Sequence, residues 1–409
     1  MNKTKLGDVC DLSIGFVGTV TTQYEAGGIP FFRTLNIKPY YIDDSDLKRI
    51  TEEFHQSQKK SQLFKDDIIM IHTGVPGICC VIDDKYNNTN CIDAIVIKPH
   101  KDKVDSHYLA AYMNTFGYKH IESQQVGAVQ KHFNLKDAIN LDIFLPDIII
   151  QTKIGFLVRI INNKISINNK ISAELESLAK TIYDYWFLQF EFPNEEGKPY
   201  KSFGGKMVYN EELKREIPEG WEVKEFLDLC NWEGTSQPPK STFSYEPKEG
   251  YIRFIQNRDF DDPNSHPTYI PSEKALKKCN ETDILMDKYG DAGKVRFGLA
   301  GAYNVALSKI DVKYEFYKEY IRSFLESTPT YNYLHNSSIA STRASLNENN
   351  VSYLKIAIPN NKTIIEEYNK IATSRIRTFL EKKKENQQLA SLRDWLLPML
   401  MNGQVSLSD

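Results

Sequence analysis

The chain has 409 residues, of which 41% are hydrophobic and 26% charged, and its net charge is −3. That length exceeds one ordinary core and implies two or three domains, while the composition excludes global disorder. No apolar run reaches the ~18 residues that a membrane helix needs, and Met1–Asp8 lacks the apolar core of a signal peptide, so a cytoplasmic protein without a membrane partner is expected.

From the N-terminus, Asp11-Leu12 and then Ile29–Ile37 lead into β-branched runs at Asp67–Ile71, Gly77–Ile82 and Asp93–Ile97, which predict strands. Gly74 and Gly77 mark a turn between two of them. Tyr108–Met113 begins a helix, and Pro146 closes a last strand, where its missing N–H is tolerated. His72, Cys79, Cys80 and Cys91 crowd this stretch, but their spacing fits no zinc pattern, and neighbours on a strand point to opposite faces. No metal site is expected. The six cysteines, at 10, 79, 80, 91, 230 and 279, include no CxxC pair and read as reduced, mostly buried thiols.

From about Ile149 to Phe187 the pattern becomes a heptad: Ile154, Leu157, Ile161, Lys164, Asn168, Ile171, Leu175, Leu178, Ile182 and Tyr185 alternate three and four apart. Lys164 and Asn168 interrupt this seam, as residues that fix register do. A cluster of aromatics follows (Tyr183, Tyr185, Trp186, Phe187, Phe190 and Phe192), suited either to docking a protein or to capping the helices against the next module.

The second half repeats the first at a period near 213 residues. Asp228-Leu229 answers Asp11-Leu12, and Ile252–Phe260 runs ungapped against Ile29–Ile37. Asp283–Gly293 matches Asp67–Gly77 with the Asp, Ile, Met and both Gly in register. Tyr320–Leu325 answers Tyr108–Met113, Ala340–Asn347 answers Gly127–Asn134, Pro359 answers Pro146 and Leu389–Leu392 answers Leu175–Leu178. A second long helix is predicted over about Thr363–Met401, its stripe marked by Ile365, Tyr368, Ala372, Phe379, Leu389, Leu392 and Leu396.

The fold class expected is therefore α+β (mixed α/β), with two repeated domains separated by two long antiparallel helices in a coiled-coil spacer. The boundaries are 1–148 for the first domain, 149–190 for the central helix, 191–217 for a linker, 218–360 for the second domain and 361–409 for the C-terminal helix and tail. A ~39-residue helix is about 58 Å long, at most roughly 17 base pairs of DNA rise. Diverged modules would then read different half-sites, since Arg33 faces Gln256, Leu35 faces Arg258, His72 faces Lys288 and Gln130 faces Arg343.

Tyr185–Pro193, Gly197–Tyr200, Gly204–Met207 and Ile217–Val223, with the two Asp-Ile-[Ile/Leu]-Met-x-x-x-Gly-x-x-Gly segments, resemble the specificity subunits of type I restriction–modification enzymes over nearly the whole chain. The resemblance implies two target-recognition domains on double-stranded DNA, helices that dock two methyltransferase subunits, and motor–nuclease subunits joining for cleavage. The first domain lacks the Pro-x-Gly-Trp lead-in of the second, which is expected to leave its edge strand less anchored. The acidic balance gives DNA binding no help, so partners are expected to supply part of the affinity, and a scaffold binding proteins or glycans is the alternative.

Catalytic readings fail. Gln237-Pro238-Pro239-Lys240 lacks the flanks of an aminomethyltransferase motif, and Gly290–Lys294 lacks the first Gly spacing and the Ser/Thr of a phosphate loop and reads as a hairpin turn. Asp43-Asp44 and Asp261-Asp262 read as solvated turn residues. No cofactor is expected. Candidate DNA-contacting residues are Arg33, Asn36, Gln130, Lys131 and His132 in the first domain. In the second they are Gln256, Asn257, Arg258, Lys288, Tyr289, Lys294, Arg296 and Arg343. Asn134 and Asn347, identical at matched positions, are assigned a turn role.

Overall fold

Alternating apolar runs bounded by Gly and Asp turns fold into the same three small sheets twice. The computed structural model describes residues 2–124, 133–261, 265–339 and 345–407. They form two compact units, one of residues 1–168 with 385–409 and the other of residues 169–384.

In the first unit, Cys10–Ile14, Ala94–Pro99, Ile68–Ile71 and Cys79–Val81 form an antiparallel sheet in that order. In the second, Cys230–Glu233, Leu307–Val312, Ile284–Asp287 and Val295–Arg296 repeat it. A second sheet, Lys48–Ile50, Tyr24–Phe32, Thr89–Cys91 and Gln62–Leu63, recurs as Thr268–Pro271, Tyr251–Ile255, Gly301–Tyr303 and Lys278–Cys279. Even its one parallel pair is kept, between Tyr24–Phe32 and Thr89–Cys91 and between Tyr251–Ile255 and Gly301–Tyr303. The third sheet pairs Asn2–Lys5 with Asp142–Leu145, and Trp221–Glu225 with Lys355–Pro359. The first edge strand is thus anchored despite its missing lead-in: five-residue pairing gives way to four, and Lys3 and Lys5 add ion pairs to Asp142 at 3.0 and 2.6 Å.

The repeated polar residues lock turns. Asp67 accepts the Phe64 backbone N–H and Asp283 that of Asn280, both at 2.9 Å. Asn134 and Asn347 are N-caps, accepting from the backbone N–H groups of Asp137 and Asn349. Cys79 and Cys80 enter different apolar clusters, on opposite faces of their strand.

The central helix runs Ile148–Tyr183, continuing as a wider turn over Asp184–Leu188, and the C-terminal helix runs Lys362–Met401. In the first unit Arg393 donates to Asn162 (2.8 Å) and Asn168 donates to Asn386 (2.8 Å) and Glu385 (3.1 Å), so the two segments run antiparallel. Lys164 pairs with Glu385 at 3.3 Å. The seam's polar interruptions are therefore a bonded belt. In the second unit Tyr183 and Phe187 of the central helix pack on Tyr368 of the C-terminal helix.

Two parts of the predicted seam are corrected. Ile171, Leu178 and Tyr185 are exposed, and the buried line passes instead through Ala179, Tyr183 and Phe187. A straight helix drifts about 20° per heptad, so a stripe set by Ile154 and Ile161 moves on by four-residue steps. Leu392 is likewise exposed, and Leu397, Leu400 and Met401 enter the first unit's core in its stead. The aromatic cluster mostly caps: Phe187 lies 4.6 Å from Tyr320, and Phe190 and Phe192 lie 5.3 and 5.4 Å from Trp221.

Candidate nucleic-acid interface

Each module gathers its candidate residues from three loops that follow matched strands. In the first, the Arg33 backbone N–H donates to Asn36 Oδ1 (3.0 Å), while Asn36 Nδ2 donates to the Asp43 carbonyl (2.9 Å). At the matched place in the second, the Gln256 N–H donates to Asp259 Oδ2 (3.2 Å). Asn36 and Asp259 are thus one structural position, a side chain that ties down the turn after a strand. Asn36 is fully buried with its amide committed to the loop, so it is removed from the set of base readers. Arg33 pairs with Asp46 at 2.8 Å, and its side chain keeps a minor exposed portion. Gln130, Lys131, His132 and Arg343 lie outside the described residues.

The second loop is a hairpin turn built on two glycines in each module. Gly77, with φ +96°, lies so close to the next helix that a Cβ would meet Tyr118 Cα at 2.8 Å. Gly293, with φ +94°, takes the same station against Leu334. The third segment returns to the turn, with the Phe133 N–H donating to the His72 carbonyl and the Leu346 N–H to that of Lys288. The Gly290–Lys294 segment is therefore a hairpin turn facing a helix.

A charge network joins the second module's loops. Arg296 is buried and donates to Asp287 Oδ2 from Nε and Nη2 (3.0 and 2.9 Å) and to both oxygens of Asp261 (2.6 and 2.5 Å). Burial pushes the Asp287 carboxyl up to about 6 against the pull of this guanidinium. Lys294 bridges Asp261 (3.6 Å) and Asp291 (3.2 Å), and Asp291 accepts from Tyr331 Oη. Arg296 is consequently a scaffold residue and is also removed from the readers. Asp261, read from the sequence as a solvated turn residue, is its ion-pair partner. Asp44 is corrected in the same way, since it holds Lys85 at 2.5 Å and accepts from Tyr86 Oη at 2.7 Å. Charge counting along the chain could not reveal these pairs, because each joins segments 9 to 42 residues apart.

The remaining candidates stand at the surface in different states. Gln256 Nε2 donates to Thr268 Oγ1 (2.8 Å), and Asn257 Oδ1 is buried and accepts no hydrogen bond among the described residues. Arg258 is exposed and touches Thr268 only at 3.4 Å. Lys288 is half-buried, which lowers its pKa, and Tyr289 is exposed. Among the described residues no group of three His, Cys, Asp or Glu side chains is placed to hold a metal, and no helix is long and apolar enough to cross a membrane.

The chain is thus a duplicated α/β module whose two copies share one scaffold and differ in the polar side chains of matched loops. Residues 1–177 match the family model described as the type I restriction modification DNA specificity domain. The chain is 24% identical to the type I restriction enzyme MjaIX specificity subunit of Methanocaldococcus jannaschii, covering 99% of this chain and 93% of that one. It is 23% identical to the HindI specificity subunit of Haemophilus influenzae, covering 91% and 92%. The crystal structure of a type I restriction–modification S subunit from M. genitalium shares the fold with a TM-score of 0.63 at 14% identity, over 98% of this chain and 95% of that one. Residues 1–177 thus resemble a type I restriction–modification DNA specificity domain, and nearly the whole chain is similar to type I specificity subunits.

Proposed function

We propose that each module reads one half of a bipartite, asymmetric site in double-stranded DNA and that the long helices set the spacing between the halves. The observation that carries this reading is the contrast between identical scaffolding and divergent surface. Sheet order, the parallel pair and the turn-locking Asp67 and Asp283 recur, whereas the side chains beside them change from Arg33 to Gln256 and from Leu35 to Arg258. Arg and Lys suit guanine, and Asn and Gln suit adenine, so the two modules select different bases. Arg33, Gln256, Asn257, Arg258, Lys288, Tyr289 and Lys294 are the described readers or phosphate contacts from the sequence set.

Two methyltransferase subunits are proposed to dock on the helices, with motor–nuclease subunits completing the assembly in the cytoplasm. The support is a second apolar line that the first never buries. Ile149, Phe156, Ile160 and Ile167 are 48–68% exposed in the first unit, as is Trp395 at 65%. Leu178 and Ile371 stand out similarly in the second. Such a stripe at heptad spacing is suited to a further helix from a partner.

Exchanging residues 1–148 for the first module of another specificity subunit tests the reading, with methylated sites mapped across a genome. One half of the target is expected to change. A chimera that alters both halves would overturn the assignment of one half-site to each module.

A further inference from the structure

The helix Thr328–Ile339 carries none of the candidate contacts, yet it lies against the charge-networked turn of the second module. Its inner line is Thr330, Leu334 and Ser338. Tyr331 and His335 stack on each other at 5.5 Å and reach the turn, Tyr331 through Asp291 and His335 through the Ala292 carbonyl. The opposite face carries Asn332, Tyr333 and Asn336, all exposed. The side-chain amides of Asn332 and Asn336 make no hydrogen bond among the described residues. The helix contains no Asp, Glu, Lys or Arg. The three acids behind it, Asp261, Asp287 and Asp291, are ion-paired with Arg296 and Lys294. The helix itself presents no carboxylate to a phosphate backbone.

The first module carries a counterpart, Tyr118–Gln124, at the same station. Its inward residues match, with Tyr118 answering Tyr331 and Ile121 answering Leu334, each pair packed on the second glycine of its turn. Its outward residues do not match: Lys119 stands where the second module has Asn332, and His120 where it has Tyr333, and both are exposed. An invariant seat with variable outward chemistry is what a reading element requires. An α-helix about 10–12 Å across fits a major groove about 12 Å wide, and Asn332 and Asn336 are separated by about 6 Å of rise, close to two base-pair steps.

Resting on the assignment of this chain as a DNA-recognition subunit, we propose that the helix Thr328–Ile339 enters the major groove of the second half-site, where Asn332 and Asn336 each specify an adenine. Lys119 does the equivalent work at a guanine in the first half-site. The two asparagines are exposed, so alanine there improves helix propensity and leaves the fold intact.

The test uses the full chain assembled with its methyltransferase subunits and maps methylated sites across a genome. Asn332→Ala and Asn336→Ala are each expected to relax one position of the second half-site, lowering discrimination there about five- to 150-fold, with the first half-site unchanged. Asn336→Gln should retain the adenine preference. Asn332→Lys, copying the first module, should move that position towards guanine. Unaltered specificity in both alanine variants, or an equal loss at both half-sites, overturns the proposal while leaving DNA recognition by the chain in place. A wild-type assembly that methylates no bipartite site would instead overturn the recognition reading on which it rests.

Discussion

Gly74 and Gly77 share one turn and Gly290 and Gly293 share its repeat, so each module contains its own control for the effect of a single methyl group. All four have positive φ, at +92°, +96°, +76° and +94°. Alanine in such a conformation costs about 1–2 kcal/mol whatever the space around it. At Gly74 and Gly290 the space is open, with nothing within 4 Å of the added Cβ, and that backbone term is the whole effect. At Gly77 the Cβ meets Tyr118 Cα at 2.8 Å and Ile121 Cδ1 at 3.0 Å, so a helix backbone must move, adding about 1–3 kcal/mol. At Gly293 the nearest atom is Leu334 Cβ at 3.0 Å and the next lies 3.6 Å away, so the added term is smaller. The expected order of loss is Gly77→Ala above Gly293→Ala, with Gly74→Ala and Gly290→Ala together at the bottom. Hydrogen exchange resolved by peptide reads this locally, on Ile68–Ile71 for the first turn and Ile284–Asp287 for the second. A loss of about 3 kcal/mol opens the strand roughly 150-fold more often, against about fivefold for 1 kcal/mol. If Gly74→Ala and Gly77→Ala accelerate exchange equally, the close seat of the helix on the turn is not what the second glycine provides.

Arg296→Ala leaves Asp287 buried without its cation and should destabilise the second module by about 3–5 kcal/mol at neutral pH, seen as loss of recognition of the second half-site only. The Asp287 carboxyl, ordinarily near 3.8, already lies at about 6 in the fold. The folded state therefore holds a proton that the unfolded chain has released, and stability falls as pH rises from about 4 to 6. Without the guanidinium that lowers it, this carboxyl is pushed higher still, so denaturant titrations of the variant should recover stability as pH is lowered, beginning above 6. Arg393→Ala removes a guanidinium 4.1 Å from the Tyr40 ring centroid and a 2.8 Å bond to Asn162, an expected loss of about 1–3 kcal/mol in the first unit by hydrogen exchange, with lysine restoring only part. Extending both long helices by four residues, after Asn168 and before Glu385, adds about 6 Å and should lengthen the preferred spacer by one or two base pairs in methylation maps. Retention of the original spacer by a folded, active variant would show that the helices do not set it.

The long helices were legible because periodicity is a local signal: the central helix begins at Ile148 and the C-terminal helix at Lys362, each within a residue of its expected start. The seam was legible only while the 3.5-residue pattern and the 3.6-residue helix stayed in phase, and it failed at Ile171, Leu178 and Tyr185 as they parted. The repeat marked Asp67 and Asp283 as matched, though not as turn locks, since a cap to a residue three positions earlier has no signature beyond the Asp itself. Asn36 and Arg296 were misassigned for one reason. A polar side chain in a loop reads the same whether it faces solvent or closes a network, and only the fold brings Asp43, Asp261 and Asp287 to them. The parallel strand pair was equally invisible, because its members lie far apart in the chain with other strands between, Phe31 pairing with Asn90 and Phe254 with Ala302.

The second unit is one continuous stretch, residues 169–384, whereas the first needs residues 1–168 together with 385–409. During synthesis the second unit can therefore close as soon as its own segment has left the ribosome. The first must wait, its hydrophobic interior open, until Leu397, Leu400 and Met401 arrive to fill it. The order of maturation is then the reverse of the order of translation. A stop codon near position 384 would spare the later module and damage the earlier one, although the earlier one is made first.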